Sequence, residues 1–498
     1  MVTAMINRRR LFVDAMSSIN MMSMWLVVVG MVLFGLGHFL SKKFPQNLRT
    51  PREAVSQIKS GEHLYIHGVA AFPRPIMQAL ADRAEDLTAV QLYHLHLEID
   101  NPCSPPSIAS SDPDKTHPLH RAFFVNNLFT GANQRAAVAN GHAAYLPVFL
   151  SEIPGLFRKH QIPLDWTILN VSPPDRHGFV SLGVEVSASM PAAECSRKII
   201  AMINPNMPRT HGNTHLHISA IDILVDAPEL AEPLPESITK SDGNSDVERR
   251  IGEIIAHNLV RDGATLQMGI GAIPNAVLAQ LKNHKNLGIH TEMFSDGVIE
   301  LMERNVVTNL KKAFLPGRIV TSFVMGSRRV YDYVDDNPEV SFIDSSIANN
   351  PVIIGSNPMM TAINSAVEVD ITGQVCADSI GTRLISGVGG QTDFERGAAL
   401  SEGGVPIIAL PATAKPHKPA PGDAEQPATV SRIVSTLKPG AGITTTRYHA
   451  HHIVTEWGHT NLHGRNMRER AREMIKIAHP EHREKLAREA YERFKFVL

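Results

Sequence analysis

The sequence predicts an α/β protein made of two related open α/β domains, with mostly parallel sheets and helices on both faces. Three observations predict it. Short, continuously apolar runs, most of them rich in β-branched residues, recur along the chain: "DWTILNVS" (165–172), "KIIAMIN" (198–204), "IDILVD" (221–226) and "PIIALP" (406–411). That pattern marks strands buried on both faces of a parallel sheet, and helical segments alternate with them. Second, "GEHLYIHGVAAFPRPIMQAL" (61–80) and "GATLQMGIGAIPNAVLAQL" (263–281) share a plan of Gly, apolar strand, Gly/Ala turn and a Pro near a helix start. Pro suits that place because its missing N–H would have had no partner there. Third, "DAPELAEPLPESITKSDGNSD" (226–246) is rich in Pro, Glu, Ser and Asp without hydrophobic period and reads as an interdomain linker.

Taken in order, residues 1–45 form a hydrophobic or targeting segment, 46–228 a first domain, 229–246 the linker and 247–498 a second domain. Within the first segment, "MMSMWLVVVGMVLFGLGHFL" (21–40) carries no charge. That is about the ~20 residues a helix needs to cross a bilayer core. Arg8, Arg9 and Arg10 precede it and Lys42 and Lys43 follow, so charge does not set an orientation. Three readings compete: a mitochondrial presequence, an anchor tethering the rest of the chain to a membrane through residues 21–40, and a secretory signal. The absence of an A-x-A-like cleavage site and the sparse cysteines disfavour the last. A mitochondrial location follows as the expectation, by presequence or anchor.

The bulk composition excludes some classes. Of 498 residues, 43% are hydrophobic and 19% charged, and the net charge is -1. No basic field exists to draw nucleic acid, so none is expected as a partner. Cys103, Cys195 and Cys376 show no CxxC spacing, which fits a reducing compartment and offers no disulfide framework or zinc signature. The paired histidines His94 and His96, and those in "HGNTHLH" (211–217) and "YHAHHIVTEWGH" (448–459), lack the carboxylates or cysteines that would complete a metal site, so no metal is expected. Trp166 and Trp457 are expected in the core, and Glu152 at a helix start.

The chemistry is expected in three stretches. In "LGIHTEMFSDGVIELM" (287–302), Leu287, Gly288 and Ile289 end a buried strand, and Val298, Leu301 and Met302 share a helix face with Ser295 or Asp296 as N-cap. Glu292 lies between them, at a strand's carboxyl end, where ligands bind in open α/β sheets. In "QMGIGAIPNAV" (267–277), Gly269 and Gly271 let backbone approach a ligand and the helix amino end offers free N–H groups, suited to a phosphate or thioester. A turn that binds nothing remains the alternative. In "SGVGGQTDFERGA" (386–398), Gly387, Gly389 and Gly390 present successive N–H groups to a developing oxyanion, or form a flexible loop; Asp393 sits just beyond. The tail from Arg465 to Leu498 is helical, broken at Pro480.

With "VSPPDRHGFVSLG" (171–183), "INPNMPRTHG" (203–212), "LQMGIGAIPNAV" (266–277), "GIHTEMFSDG" (288–297), "SGVGGQTDFERGA" and "VTEWG" (454–458), residues 46–498 resemble the acetyl-CoA hydrolase/transferase family. The likeness is greatest to its 4-hydroxybutyrate and butyrate–acetate CoA-transferases. The leader and a long Pro-rich stretch after Lys415 depart from it. The resemblance implies an active site at the domain interface with Glu292 as catalytic nucleophile. It implies Gly269, Ile270, Gly271, Ala272 and Ile273 as a turn contacting CoA, Gly389 and Gly390 as backbone around the thioester, and Asn349, or its neighbour Asn350, beside the reacting acyl group. Lys415 is a candidate contact for a CoA phosphate. The implied activity is transfer of CoA from acetyl-CoA to a short-chain carboxylate such as 4-hydroxybutyrate, by ping-pong kinetics through a glutamyl-CoA thioester. Coenzyme A is then a co-substrate, no cofactor is permanently bound, and a homodimer is the expected assembly. Glutamate is expected to be ionised at neutral pH, with a reference pKa near ~4.3. Two rivals stand beside this reading: an acetyl-CoA hydrolase using the same glutamate, and an idle membrane-tethered CoA-binding scaffold.

Overall fold

The computed structural model describes residues 49–104, 117–237, 245–269, 271–415 and 429–495. The leader and the apolar stretch 21–40 lie outside these, as do Ile270 and 416–428 of the Pro-rich loop. Among the described residues no helix is long and apolar enough to cross a membrane.

The first half builds a seven-stranded, all-parallel sheet. Its strands are β1 (His63–Ile66), β2 (Val90–His94), β3 (Phe123–Asn127), β4 (Ala143–Tyr145), β5 (Trp166–Val171) and β6 (Lys198–Ile203), followed, after the two-residue strand β7 (His211–Gly212), by β8 (Ile223–Asp226). They lie in the order β8-β6-β5-β1-β2-β3-β4. Every residue of β5 is buried, as a strand covered by helices on both faces requires.

The second half repeats the scheme. Its strands are β9 (Thr265–Met268), β10 (Gly288–Ile289), β11 (Ile319–Thr321), β12 (Val340–Phe342), β13 (Met360–Ser365), β14 (Val405–Ala409), β15 (His452–Thr455) and β16 (Gly458–Asn461). Six of them form a sheet ordered β10-β9-β13-β14-β15-β16, parallel except for the final pair. The chain runs outward from β9 to β10 and then back across to β13, so β9 and β13 flank the switch point.

The repeated stretches fold alike. β1 leads through a turn to helix α1 (Arg74–Ala81), and β9 leads to α3 (Ala272–Gln280), which packs on α2 (Asp246–Asn258). The remaining helices that matter are α4 (Asp296–Glu303), α5 (Ser345–Ala348), α6 (Pro351–Ser356), α7 (Gln391–Leu400), α8 (Met467–Lys476) and α9 (Pro480–Phe494). Pro480 opens α9, so the predicted break in the tail is a helix start.

The halves are not separately packed. One hydrophobic cluster runs from Val69 and Val171 through Ile255 and Phe342 to Val454. Strand β7, from the first half, joins β11 and β12 of the second in a parallel three-stranded sheet. The described part of the 229–246 segment is also held: Leu234 is buried, the Tyr331 hydroxyl donates to the Pro235 carbonyl at 2.7 Å, and Ser237 N–H donates to Gly326. It packs as part of the body rather than as a free tether.

One sequence expectation fails locally. Trp166 is buried, donating Nε1–H to Glu62, but Trp457 is 45% exposed because it sits in the β15–β16 turn, under Arg483. Ser295 is the N-cap of α4, one of the two residues expected there, though its side chain makes no capping bond; the Asp296 carboxylate accepts from Ser327 N–H at 3.0 Å and from its hydroxyl.

Candidate active site

Glu292 leaves β10 three residues past its end, and its backbone is fixed before its side chain is considered. The Glu292 carbonyl accepts from Ser322 N–H at 2.8 Å, Phe323 N–H at 3.0 Å and Thr321 Oγ1 at 3.1 Å. The partly buried side chain then reaches a cavity of about 390 Å³. Leu95, Phe129, Leu150, Phe323 and Met325 give that cavity apolar walls, with His96, Glu98, Asn133 and Arg135 among its polar lining.

Around the carboxylate stand three of the residues named from sequence. Asn349 Nδ2 donates to Glu292 Oε2 at 2.8 Å. The Gly390 N–H also bonds the carboxylate. Gly389 lines the cavity in the left-handed region, φ +56°, and gives its carbonyl to Leu150 N–H at 3.0 Å. The choice between neighbouring asparagines is decided by α6: the Asn350 side chain caps it, accepting Val352 N–H at 2.9 Å, and is committed there.

Electrostatically the glutamate differs from its sequence expectation. Burial pushes its pKa up to about 7, against the opposing pull of the Asn349 and Gly390 hydrogen bonds. It is therefore incompletely ionised at neutral pH. Asp393, in the first turn of α7, is also raised to about 7, chiefly by burial, with the Ser151 hydrogen bonds opposing and the charge of Glu292 adding to the rise.

The glycine turn after β9 lies apart from the cavity. Gly269 donates its N–H to Ile363, Gly271 adopts φ +120° before α3, Ala272 is partly buried and Ile273 is a core residue. None of them lines the Glu292 cavity. They are tied to it one bond away, since Thr291 Oγ1 exchanges hydrogen bonds with Met268 at 3.3 Å. Lys415 is exposed just after a short strand and does not line the Glu292 cavity. Glu152 begins a helix, as expected.

Sequence reasoning missed part of the surroundings. The sequence offers His96 only as half of a histidine pair with no metal partners, yet β2 ends at His94 and His96 turns into the cavity wall against Phe129 and Phe323. Tyr145 accepts Val388 N–H at 3.0 Å and Ser151 binds Asp393, so first-half residues brace the glycine loop. No group of three or more histidines, cysteines or carboxylates suited to a metal occurs among the described residues.

A glutamate facing a cavity, with amide donors converging on its oxygens in a doubled parallel α/β body, is an arrangement suited to nucleophilic attack on an acyl group. Comparison with known proteins fixes the group. Residues 38–235 match the acetyl-CoA hydrolase/transferase N-terminal domain and 326–490 the C-terminal domain of the same family. The chain is 44% identical over 459 residues to the succinyl-CoA:acetate/propanoyl-CoA:succinate CoA transferase of Fasciola hepatica, covering 91% of this chain and 90% of that one. It is 43% identical over 452 residues to the 4-hydroxybutyrate coenzyme A transferase of Clostridium kluyveri, covering 91% and 99%. The crystal structure of RipA from Yersinia pestis superposes with TM-score 0.79 at 35% identity, covering 91% and 99%. The protein belongs to the acetyl-CoA hydrolase/transferase family.

Proposed function

We propose that this protein moves coenzyme A from acetyl-CoA to a short-chain carboxylate such as 4-hydroxybutyrate, with Glu292 as the covalent carrier. The observation that carries the reading is the Glu292 carboxylate standing at the cavity with the Asn349 amide and the Gly390 N–H directed at it. The C. kluyveri relative supports the acceptor named.

In its ionised form Glu292 attacks the thioester carbonyl, forming a mixed anhydride and expelling the CoA thiolate. The thiolate attacks the glutamyl carbonyl, which releases acetate and leaves a glutamyl-CoA thioester. The incoming carboxylate attacks that thioester to form a second anhydride, and the freed thiolate takes the new acyl group, restoring the Glu292 carboxylate. Each addition gathers negative charge on an oxygen. For steps at the glutamyl carbon that oxygen is one of Glu292's own, already facing Asn349 Nδ2 and Gly390 N–H. Such a preorganised donor is worth about 2.7–4 kcal/mol of barrier. The turn of Gly269, Gly271, Ala272 and Ile273 is assigned to the CoA chain. Among the described residues, and apart from its chain neighbours, no heavy atom stands within 4 Å of where a Gly271 Cβ would project, which leaves its backbone approachable.

Mass spectrometry after incubation with acetyl-CoA tests the reading: a CoA-sized adduct on the Glu292 peptide is expected, and its absence refutes the mechanism. Thiol release from acetyl-CoA that proceeds equally without an added carboxylate would make the enzyme a hydrolase instead.

A further inference from the structure

His290 lies two residues before Glu292, and where Glu292 meets Asn349, His290 meets the residue before it. Its Nε2–H donates to the Ala348 carbonyl at 2.7 Å, and its Nδ1 accepts from Asn357 Nδ2 at 3.1 Å. Ala348 ends α5 and Asn357 follows α6, so one imidazole ties both ends of the segment that carries Asn349. The ring is fully buried, between Phe314 and Phe394. Burial, aided by the nearby Lys312 ammonium, holds its pKa at about 3, so it is neutral, and the two partners dictate a single tautomer.

The ring's own anchorage is firm. Ile289 N–H donates to Asn309 Oδ1 at 2.8 Å, Lys312 Nζ donates to the Ile289 carbonyl at 2.7 Å, and Thr291 N–H donates to Val320 at 3.0 Å. The Asn349 side chain is held far less: its Oδ1 is buried with no partner among the described residues, and its Nδ2 bonds Glu292. Where that amide stands is thus set by the backbone at 348–349, and the side chain gripping that backbone is His290.

We propose that His290 is a positioning residue of the acyl-transfer site, which places the Asn349 amide against Glu292 by holding the Ala348 carbonyl. The proposal rests on the function given above for Glu292 and Asn349. A histidine that merely satisfied a buried carbonyl would contribute to stability without coupling to Asn349.

Steady-state kinetics of the full chain, with acetyl-CoA and a carboxylate acceptor, test it on His290→Asn, His290→Gln, Asn349→Ala and the double variant H290N/N349A. Asparagine keeps a partner for Asn357 and is too short to reach Ala348; glutamine carries an N–H to the reach of Nε2. We expect H290N to lower kcat about 10²-fold, the cost of a small misplacement, while KM for acetyl-CoA stays within about twofold because uniform binding is untouched. H290Q should recover most of the loss, and adding H290N to N349A should change kcat by less than about twofold. Losses that multiply in the double variant, or H290Q as slow as H290N, overturn the proposal. If H290N fails to fold, H290Q decides: near-normal kcat supports it and an N349A-like loss overturns it. Wild-type turnover by N349A would instead remove that residue's proposed role, whereas a slow N349A beside a fast H290N removes the positioning role alone.

Discussion

Ser151 and Asp393 join the two halves at the site: the serine hydroxyl and backbone N–H donate to the two carboxylate oxygens at 2.8 and 3.2 Å. Leu150 N–H to Gly389 and Val388 N–H to Tyr145 lie in the same patch. The loop that brings Gly389 and Gly390 to Glu292 is therefore positioned by residues more than two hundred positions earlier in the chain.

Gly390→Ala should leave a folded but crippled enzyme. The backbone there, φ -99°, is open to alanine, but a Cβ would stand 1.8 Å from Glu292 Oε2 and 2.2 Å from Asn349 Nδ2. Both are ends of side chains that can move, and moving them parts the pair. A fall in kcat of about 10²–10³-fold is expected, the size seen on losing one oxyanion donor. Circular dichroism and kinetics together check it.

Activity should rise with pH through about 7. Glu292 is raised to about 7 and only its carboxylate attacks, so kcat/KM is lost as pH falls below that value. Asp393 titrates in the same range and feels the charge of Glu292, so the acidic limb should be broader than a single ionisation. Asn349→Ala removes a bond that favours the carboxylate and should move the limb upward. A pH–rate profile of kcat/KM for both proteins reads this out.

Glu395→Gln should stabilise the protein increasingly with pH. Glu395 is buried, accepts from Asn364 Nδ2 at 2.9 Å, and is pushed up to about 8 by burial against the opposing pull of its hydrogen bonds from Asn364 and the Ile407 N–H. Its folded pKa lies above its unfolded one, so unfolding releases a proton and stability falls as pH rises from about 4.5 to about 8. Glutamine keeps an acceptor for Asn364 and carries no charge. The difference in Tm between variant and parent should be small at pH 4.5 and largest above pH 8, by thermal melts across that range.

What was legible in the sequence is what repeats or alternates. The buried runs at 166–171 and 198–203 declare strands because both faces are covered, and the doubled Gly-strand-turn-Pro plan gives the two related sheets. Glu292 and the 389–390 pair were legible as a carboxylate after a strand and a glycine cluster, and the family likeness gave them roles. Tyr145, Ser151 and Phe129 carry no such mark: they matter only because folding lays the first half against the 387–393 loop, and no periodicity records a contact at that separation. His290 carries no such mark either, since its hold on Ala348 and Asn357 exists only once α5 and α6 are packed beside it. The raised pKa of Glu292 was not legible either, since desolvation belongs to the assembled site.

Gly212 packs against the backbone of Phe342 so closely that a Cβ would fall 2.2 Å from its carbonyl oxygen. That single fit means each half carries a piece tailored to the other. Neither half should survive expression alone, and chimeras that exchange halves between relatives at residues 229–246 will inherit a mismatched seam unless the segment around 211 travels with the partner it was shaped for.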